Sequence, residues 1–456
     1  MMYGRAIQLS NVSLVLVAFI LLISVSVNSQ RRTSTRQAQQ TSQTGQELLK
    51  KGDLDGAIEA LKKAILLRPN EAEAHYYLGY ALGIKGQLAD AIVELQKAIS
   101  LNPELGEAHY YLGAARWFSK DVDGAITALR TAVRLMPEHA DAHYYLGLSL
   151  QKKGDDELDE AIEAFRVAIK LEPNMLSAYN NLGLALMQKR DPDGATAAFN
   201  EVIKLDSTNM VAQLNLGMVL IQKADYAAAI DQYRRIIVQT PESAEAHYNL
   251  GLALKQKDQL ADAEVELRKA IDLQASLHEA HYILGIILMQ QSKLEEAATA
   301  LKKAIDVKPD YPEAHFALGT VMQQQGNFAG AIAALRQALV YAPNAPEIHN
   351  ALGNALRQTG DIESARVEFQ EAARLNKIKS NQQAAMFASN TGLAKLKEGK
   401  LDDAIESFQR AAQLDPTNAQ AFYNLAKALQ KKGQREAARA AEQKARELDT
   451  RIKPLP

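Results

Sequence analysis

Apolar and small residues recur at the spacing of one side of a helix, in stretches that come in pairs. Between residues 72 and 105, the first stretch has its apolar positions at Ala74, Tyr77, Leu78, Ala81 and Leu82. Gly86 breaks the pattern, and the second stretch has its apolar positions at Ala91, Ile92, Leu95, Ala98 and Ile99. Pro103 follows, and a proline cannot continue a helix. The pattern predicts two amphipathic helices joined by a tight turn.

The helix pair repeats through nearly the whole chain. One glycine marks each copy but the last, which has Ala426 instead: Gly45, Gly79, Gly113, Gly147, Gly183, Gly217, Gly251, Gly285, Gly319, Gly353 and Gly392. Consecutive spacings are 34 residues, except for one of 36 after Gly147 and one of 39 after Gly353. A fixed period of this length predicts one helical unit stacked many times, in which each copy buries its apolar face against its neighbours.

The small residues of each copy stand at fixed offsets, as in Gly79, Ala91, Ala98 and Pro103. This pattern resembles the tetratricopeptide repeat family. The resemblance implies an all-α fold, an α-solenoid of about twelve helix-turn-helix repeats of roughly 34 residues that form a right-handed superhelix. When the glycine is counted as position 8, histidine usually replaces the family's tryptophan at position 4.

Counted in this way, repeats 1–10 occupy residues 38–379 and repeats 11 and 12 occupy residues 385–452. The last helix has Glu442 where other repeats have leucine, phenylalanine or tyrosine, which is typical of a polar capping helix. Residues 380–384 are an insertion between the two groups, and Lys377 stands where most repeats have proline. This seam predicts a lengthened helix; a flexible hinge is the alternative.

The N-terminus departs from the repeat. Residues 1–29 contain an apolar run, 12–27, that predicts either a cleaved signal peptide or a membrane anchor. Cleavage would export the protein to the periplasm or the extracellular space, whereas an anchor would associate residues 12–27 with the membrane. Three basic residues after the run favour the anchor: Arg31, Arg32 and Arg36. Residues 30–37 are polar and predict a spacer.

Composition and motifs narrow the function mainly by exclusion. The chain has no cysteine, and its net charge of −2 comes from interspersed acids and bases. It therefore lacks thiolate metal ligands and the basic surface of a nucleic-acid-binding protein. No phosphate loop, nucleophile motif or spaced metal cluster stands outside the repeats. We expect no catalytic residue, cofactor or metal, and no nucleic-acid partner.

Seven of the nine histidines stand at position 4: His75, His109, His143, His247, His281, His315 and His349. Equivalent helices of neighbouring repeats lie about 10 Å apart, whereas the ligands of one metal ion lie at about 2 Å from it. We therefore interpret these histidines as packing residues. If they are buried and neutral, stability should fall as the pH drops below neutrality.

The family resemblance implies that positions 2, 5, 9, 12 and 13 of each first helix line a concave groove where partners bind. Position 2 is acidic in seven repeats, at Glu73, Glu107, Asp141, Glu245, Glu279, Glu313 and Glu347. Position 5 is aromatic in seven repeats, at Tyr76, Tyr110, Tyr144, Tyr248, Tyr282, Phe316 and Tyr423. These residues predict an acidic, aromatic binding groove; the alternative is that they are generic repeat residues.

Two departures from this groove stand out. Repeats 5 and 6 present apolar residues instead: Leu184, Met187, Val211, Leu214, Met218 and Ile221. They predict an apolar docking patch, with tighter packing or a self-contact as the alternative. Trp117, the single tryptophan, and Phe118 stand at positions 12 and 13 of repeat 3, where they predict either a binding hot spot or packing on the neighbouring repeat.

These features predict a non-catalytic scaffold that binds a protein or an extended peptide in its concave groove, in the cell envelope. A membrane-tethered spacer or self-assembling array is the alternative, and a partner-dependent regulatory subunit of an enzyme is a more distant one. The sequence leaves the oligomeric state open.

Overall fold

The structure is a computed structural model that describes residues 34–455, and every regular element in that range is helical. The predicted signal peptide or anchor, residues 1–29, lies outside the described residues. Residues 34–37 of the predicted spacer belong to the first helix, in which Ala38 and Ser42 are buried. None of the described helices is both long and apolar enough to cross a membrane.

The chain divides into two compact units, Met1–Gln239 and Thr240–Pro456. We call them the N-terminal unit and the C-terminal unit. The N-terminal unit holds repeats 1–6, and a short 3₁₀ helix, Asp155–Glu157, takes up the two extra residues of repeat 4. Its described α-helices are α1 (34–50), α2 (Leu54–Leu67), α3 (Ala72–Ile84), α4 (Leu88–Leu101), α5 (Gly106–Phe118), α6 (Val122–Leu135), α7 (Ala140–Lys153), α8 (Leu158–Leu171), α9 (Leu176–Gln188), α10 (Pro192–Leu205), α11 (Met210–Gln222) and α12 (Tyr226–Gln239).

The C-terminal unit holds repeats 7–12. Its described helices are α13 (Ala244–Gln256), α14 (Leu260–Leu273), α15 (His278–Gln290), α16 (Leu294–Val307), α17 (Pro312–Gln324), α18 (Phe328–Tyr341), α19 (Pro346–Gln358), α20 (Ile362–Lys397), α21 (Leu401–Leu414), α22 (Ala419–Lys431) and α23 (Arg435–Leu448). Helix α20 runs unbroken for 36 residues through the seam. The lengthened helix predicted there is present, and the flexible hinge is not.

Short polar signals set the boundaries of the helices. The carboxylates of Asp53, Asp121 and Asp191 each accept a hydrogen bond of 3.0 Å from the backbone N–H three residues later. These N-caps satisfy a donor that the first turn of α2, α6 and α10 would otherwise leave unpaired. In the turn of repeat 2, Gly86 adopts a φ of 80°, a left-handed conformation that glycine accepts without strain.

Within a repeat, the glycine at position 8 lets the two helices touch. A Cβ atom added to Gly79 would lie 2.6 Å from Cγ of Leu95, and one added to Gly183 would lie 2.6 Å from Cζ of Phe199. Leu95 and Phe199 are themselves fully buried. The second helix therefore rests directly on the backbone of the first.

First helices also pack side by side across repeats. In the N-terminal unit, α3 contacts α5, α5 contacts α7, α7 contacts α9 and α9 contacts α11. The side chains on these helices that turn away from the second helices form one continuous surface. We call it the first-helix face, and it holds most of the site residues that the sequence predicted.

Candidate functional site

Aromatic rings run across the first-helix face of repeats 2–4. The ring centroids of Tyr76 and Tyr111 are 5.9 Å apart, those of Tyr110 and Tyr111 are 4.7 Å apart, and those of Tyr110 and Tyr145 are 6.1 Å apart. These separations are those of interacting aromatic pairs. Because the rings come from α3, α5 and α7, each ring is held by its neighbours on the adjacent repeats.

The aromatic cluster lines a cavity of about 210 Å³ that is open to solvent on one side. We call it the aromatic pocket. Its walls include Tyr80, Ile84, Tyr110, Tyr111, Phe118 and Tyr145. The Phe118 ring meets the Tyr145 ring edge-on, with centroids 6.1 Å apart, yet 59% of Phe118 remains exposed. A large aromatic side chain that stands over a pocket with most of its surface in water is typical of a contact surface for another molecule.

The phenols of this cluster stay neutral over the physiological pH range. Burial raises the pKa of Tyr111 to about 12, with further increases from Tyr80, Asp141 and Glu107. Burial likewise raises the pKa of Tyr76 and Tyr110. The pocket therefore offers neutral hydroxyl groups and apolar ring faces.

Acidic side chains follow the edge of the same face. Glu73, Glu107 and Asp141 are exposed, and they come once per repeat at the start of α3, α5 and α7. Their negative charges raise the pKa of the nearby phenols, Glu107 that of Tyr76 and Asp141 that of Tyr110. The face of repeats 2–4 thus combines an aromatic pocket with a row of acids.

The predicted tyrosines of position 5 differ in how deeply they are buried and in which unit they lie. Tyr110 is only 8% exposed, so it forms the floor of the pocket rather than an open surface. Tyr76 and Tyr144 are half-buried. Tyr248 and Tyr282 are also half-buried and lie in the C-terminal unit, where the Tyr282 ring packs against that of Tyr311 with centroids 5.2 Å apart.

The sequence prediction missed three tyrosines that line the pocket, Tyr80, Tyr111 and Tyr145. Two of them stand at position 6, directly after the predicted tyrosine of position 5. The signal that could have found them is the run His-Tyr-Tyr, which occurs in repeats 2, 3 and 4 and nowhere else in the chain.

The predicted apolar patch of repeats 5 and 6 is present on the surface, with one correction. Val211 is 61% exposed and Met218 is 41% exposed. Leu184 is also exposed, and Met187 and Ile221 are half-buried. The prediction was wrong for Leu214, which is 4% exposed because it lies on the buried side of α11 with Ala212 and Val219.

Trp117 and Phe118 have separate surroundings. Trp117 is half-buried and packs against the core cluster of repeats 3–6. Its environment fits the packing alternative. Phe118, the next residue, belongs to the wall of the aromatic pocket.

The histidines at position 4 fall into two groups. In His75, His247 and His349, Nδ1 lies 2.6 Å from a glutamate oxygen, of Glu94, Glu266 and Glu368 respectively. Nε2 of the same three rings faces a backbone carbonyl at 2.9 to 3.0 Å. These three rings are buried, as expected of packing residues, and each contact with glutamate joins the two helices of its repeat.

The other position-4 histidines lack a glutamate at this place and face only the carbonyl, as His143 does at 3.0 Å from the oxygen of Pro137. Burial lowers the pKa of His143, with a smaller contribution from His139, while the hydrogen bond to Pro137 opposes the decrease. For His143 the sequence expectation holds. The spacing of 19 residues between histidine and glutamate in repeats 2, 7 and 10 would have distinguished the groups.

An open cavity lies in the C-terminal unit, beside His281. It measures about 470 Å³ and is lined by Arg268, Glu296 and Lys303 among others. Arg268 already pairs with Glu264 and Glu296 at 2.9 Å and 2.7 Å. The Arg268 guanidinium is therefore already paired within the chain. Among residues 34–455, no group of three acids or histidines is arranged to hold a metal ion.

The helix pairs and the open first-helix face define a helical-repeat protein of the kind that serves as a protein-interaction scaffold. The family profile "TPR repeat" matches residues 45–83, 84–117, 119–154, 217–258, 287–326 and 392–433. Two profiles described as "Tetratricopeptide repeat" match residues 155–209 and 316–382, and residues 244–277 and 419–450. The chain belongs to the tetratricopeptide repeat family, which confirms the resemblance seen in the sequence.

No curated protein sequence matches the chain. Among solved structures, the MamA protein is 34% identical over 38% of this chain and 94% of its own, with a TM-score of 0.35. MamA from Desulfovibrio magneticus RS-1 is 29% identical over 38% of this chain and 97% of its own, with a TM-score of 0.35. A tetratricopeptide repeat protein from Parabacteroides merdae is 16% identical over 56% of this chain and 99% of its own, with a TM-score of 0.39. With TM-scores below 0.5, these likenesses carry no argument about partners.

Proposed function

We propose that this protein is a non-catalytic scaffold that holds an extended segment of another protein on the first-helix face of its N-terminal unit. The observation that carries the proposal is the aromatic pocket, with Phe118 exposed over it. Aromatic residues in pockets dominate the affinity of many protein interfaces. The ring contacts between repeats also fix the walls of the pocket before a partner arrives, which lowers the entropic cost of binding.

The cell envelope remains our proposed location. It rests on the sequence of residues 1–29 alone, as a signal peptide or as an anchor. The absence of catalysis is likewise part of the proposal, because it rests on the motifs of the sequence and on the scaffold role of the family. If the bound partner is an enzyme, the protein would act as its regulatory subunit.

One observation favours a second candidate function, a self-assembling array or spacer. Val211 and Met218 expose apolar surface in repeats 5 and 6, and a contact between copies of the chain would cover it. The two functions differ in where the contact lies. A peptide scaffold uses the pocket of repeats 2–4, whereas an array uses the patch of repeats 5 and 6.

Photo-crosslinking tests the scaffold function. A benzoylphenylalanine replaces Phe118 in the full-length protein, and the matched control carries it at Val93, an exposed residue of the second helix α4. After irradiation in an extract of the source organism, we expect a specific adduct from position 118 that is absent from position 93. Mass spectrometry identifies the partner. Equal adducts at both positions, or adducts with the same chain alone, would contradict the scaffold proposal.

A further inference from the structure

The aromatic pocket and the row of acids lie on the same first-helix face, and together they restrict the chemistry of a partner. We infer that the site binds an extended segment with basic residues at every third position and an apolar side chain between them. The apolar side chain enters the aromatic pocket, and the basic residues lie over Glu73, Glu107 and Asp141. This inference rests on the proposed scaffold function and names the class of its partner.

The size of the pocket determines which apolar side chain of the partner it can hold. At about 210 Å³ it is smaller than the roughly 300–1,000 Å³ of typical small-molecule sites. Its walls are ring faces and aliphatic side chains, from Tyr111, Phe118 and Ile84 among others. A cavity of this size and lining accommodates one large apolar side chain, such as leucine, and leaves the rest of the segment on the surface.

The acids determine the charge of the partner. None of Glu73, Glu107 and Asp141 forms a salt bridge with a described residue. Exposed acids on the second helices of the same unit do form them, each with a lysine of the following repeat: Asp55 with Lys85, Asp123 with Lys153, Asp159 with Lys189 and Asp193 with Lys223. The first-helix acids are thus left available to cations from outside the chain.

The helix dipole is a reason for an acid at this position in any repeat, since an acid in the first turn stabilises a helix. Repeats 5 and 6 nonetheless have Ser177 and Val211 at the same position and form complete helices. The dipole therefore does not require the acid. In repeats 2–4 the unpaired acids share the first-helix face with the aromatic pocket, and the charges of Glu107 and Asp141 act on the phenol of Tyr111 in its wall.

The spacing of the repeats sets the register. First helices that pack side by side lie about 8–10 Å apart, so the three acids recur at that interval. A polyproline II segment has three residues per turn and a rise of 3.1 Å per residue, so every third side chain points the same way about 9 Å further on. Arginine or lysine at positions i, i+3 and i+6 therefore matches the row, and aromatic-lined grooves are known to suit this backbone conformation.

Fluorescence anisotropy with the full-length protein tests the inference. The probe is a fluorescein-labelled peptide, GRPLRPLRG, with arginine at every third position and leucine between. Two control peptides are GRRRPPLLG, which has the same composition without the spacing, and GEPLEPLEG, which has the spacing with the opposite charge. We expect the probe to bind at least about tenfold more tightly than either control, a difference of about 1.4 kcal/mol.

Matched variants locate the contacts. Phe118→Ala should weaken the probe about tenfold, whereas Val93→Ala should leave it unchanged. Glu107→Gln with Asp141→Asn should weaken it about three- to tenfold and reduce its salt dependence. The charge control is Glu245→Gln with Glu279→Gln, at position 2 of repeats 7 and 8, and should have no effect. Circular dichroism at 222 nm checks that each variant is folded.

The outcomes distinguish a failure of the inference about basic segments from a failure of the proposed scaffold function. If the scrambled peptide binds as well as the probe, the register is wrong; if the acidic peptide does, the charge is wrong. If no peptide binds but Phe118 crosslinks to a partner, the scaffold function stands and the inference about basic segments fails. If the variants at Phe118 and Glu107 bind the probe like the wild type, the inference is overturned.

Discussion

Repeats 2–4 present tyrosines and acids on their first helices, whereas repeats 5 and 6 present leucine, methionine and valine. Both groups belong to the N-terminal unit, and both use the same internal contact. A Cβ added to Gly147 would press on the ring of Phe165, and one added to Gly217 would press on the ring of Tyr233. The stacking positions are thus constant while the surface positions change, so one scaffold can present different chemistry along its length.

The comparison also shows which positions are truly on the surface. At position 5, Tyr110 in repeat 3 and Leu214 in repeat 6 are both buried. Positions 9 and 13 carry the exposed side chains instead, with Met218 at position 9 and Phe118 at position 13. A substitution at position 5 should therefore act on stability, and a substitution at position 9 or 13 on binding.

The largest effect should come from placing a charge at position 5. Leu214→Glu buries a carboxylate without a partner and removes a core side chain. We expect it to lower the free energy of unfolding by more than about 3 kcal/mol. Thermal melts followed by circular dichroism would show a lower Tm, and hydrogen exchange would show lost protection in α11 and in its neighbours α10 and α12.

The matched control lies one turn further along the same helix. Met218→Glu should change the free energy of unfolding by no more than about 0.5 kcal/mol, because Met218 is exposed. Equal destabilisation by the two variants would show that the distinction between the buried and exposed positions of α11 is wrong.

A smaller effect should appear in the pH dependence of stability, to which repeat 4 contributes through His143 and repeat 6, with Gln213 at the same position, does not. Burial lowers the pKa of His143 in repeat 4 below its unfolded value, so the unfolded chain binds the proton more readily. The stability from this residue is fully present above about pH 6.5 and falls as the pH drops below that value. Because the ring is only half-buried, solvent keeps the effect modest.

Repeat 6 supplies the variant that tests this pH effect. Gln213 stands at the same position and donates from Nε2 to the carbonyl six residues earlier, at 2.7 Å, as His143 does through its ring. His143→Gln should keep the hydrogen bond and lose the titration. Melts at pH 7.5 should agree with the wild type, while at pH 5.5 the variant should be the more stable. Parallel pH profiles would contradict the prediction.

The period of the glycines was enough to predict the helix pairs and the repeat family. The insertion at residues 380–384 and the missing proline at Lys377 predicted the lengthened helix, which the structure shows as α20. Each of these predictions depends on local sequence. The surface was less predictable. Whether Leu214 faces the core depends on the angle at which α11 sits on its neighbours, and a family pattern gives only the average angle.

The aromatic pocket needed three-dimensional packing for a similar reason. Tyr80, Tyr111 and Phe118 stand in two different repeats, and nothing in one repeat's sequence shows that their rings enclose a common cavity. The pairing of His75 with Glu94 spans the two helices of one repeat and could have been recognised from its fixed spacing.

The smallest expected effect concerns the patch of repeats 5 and 6, and it separates the two candidate functions. Val211→Glu with Met218→Glu places charges on exposed positions, so the double variant should stay within about 1 kcal/mol of the wild type in stability. If the partner lies over the aromatic pocket, the double variant should bind GRPLRPLRG like the wild type, and analytical ultracentrifugation of the two full-length proteins should give the same distribution of species. If the wild type instead forms a larger species that the double variant does not, the patch is a contact between copies and the self-assembling array takes the place of the scaffold. In that case the tyrosines of repeats 2–4 would stabilise the fold, and the aliphatic side chains of repeats 5 and 6 would carry the function.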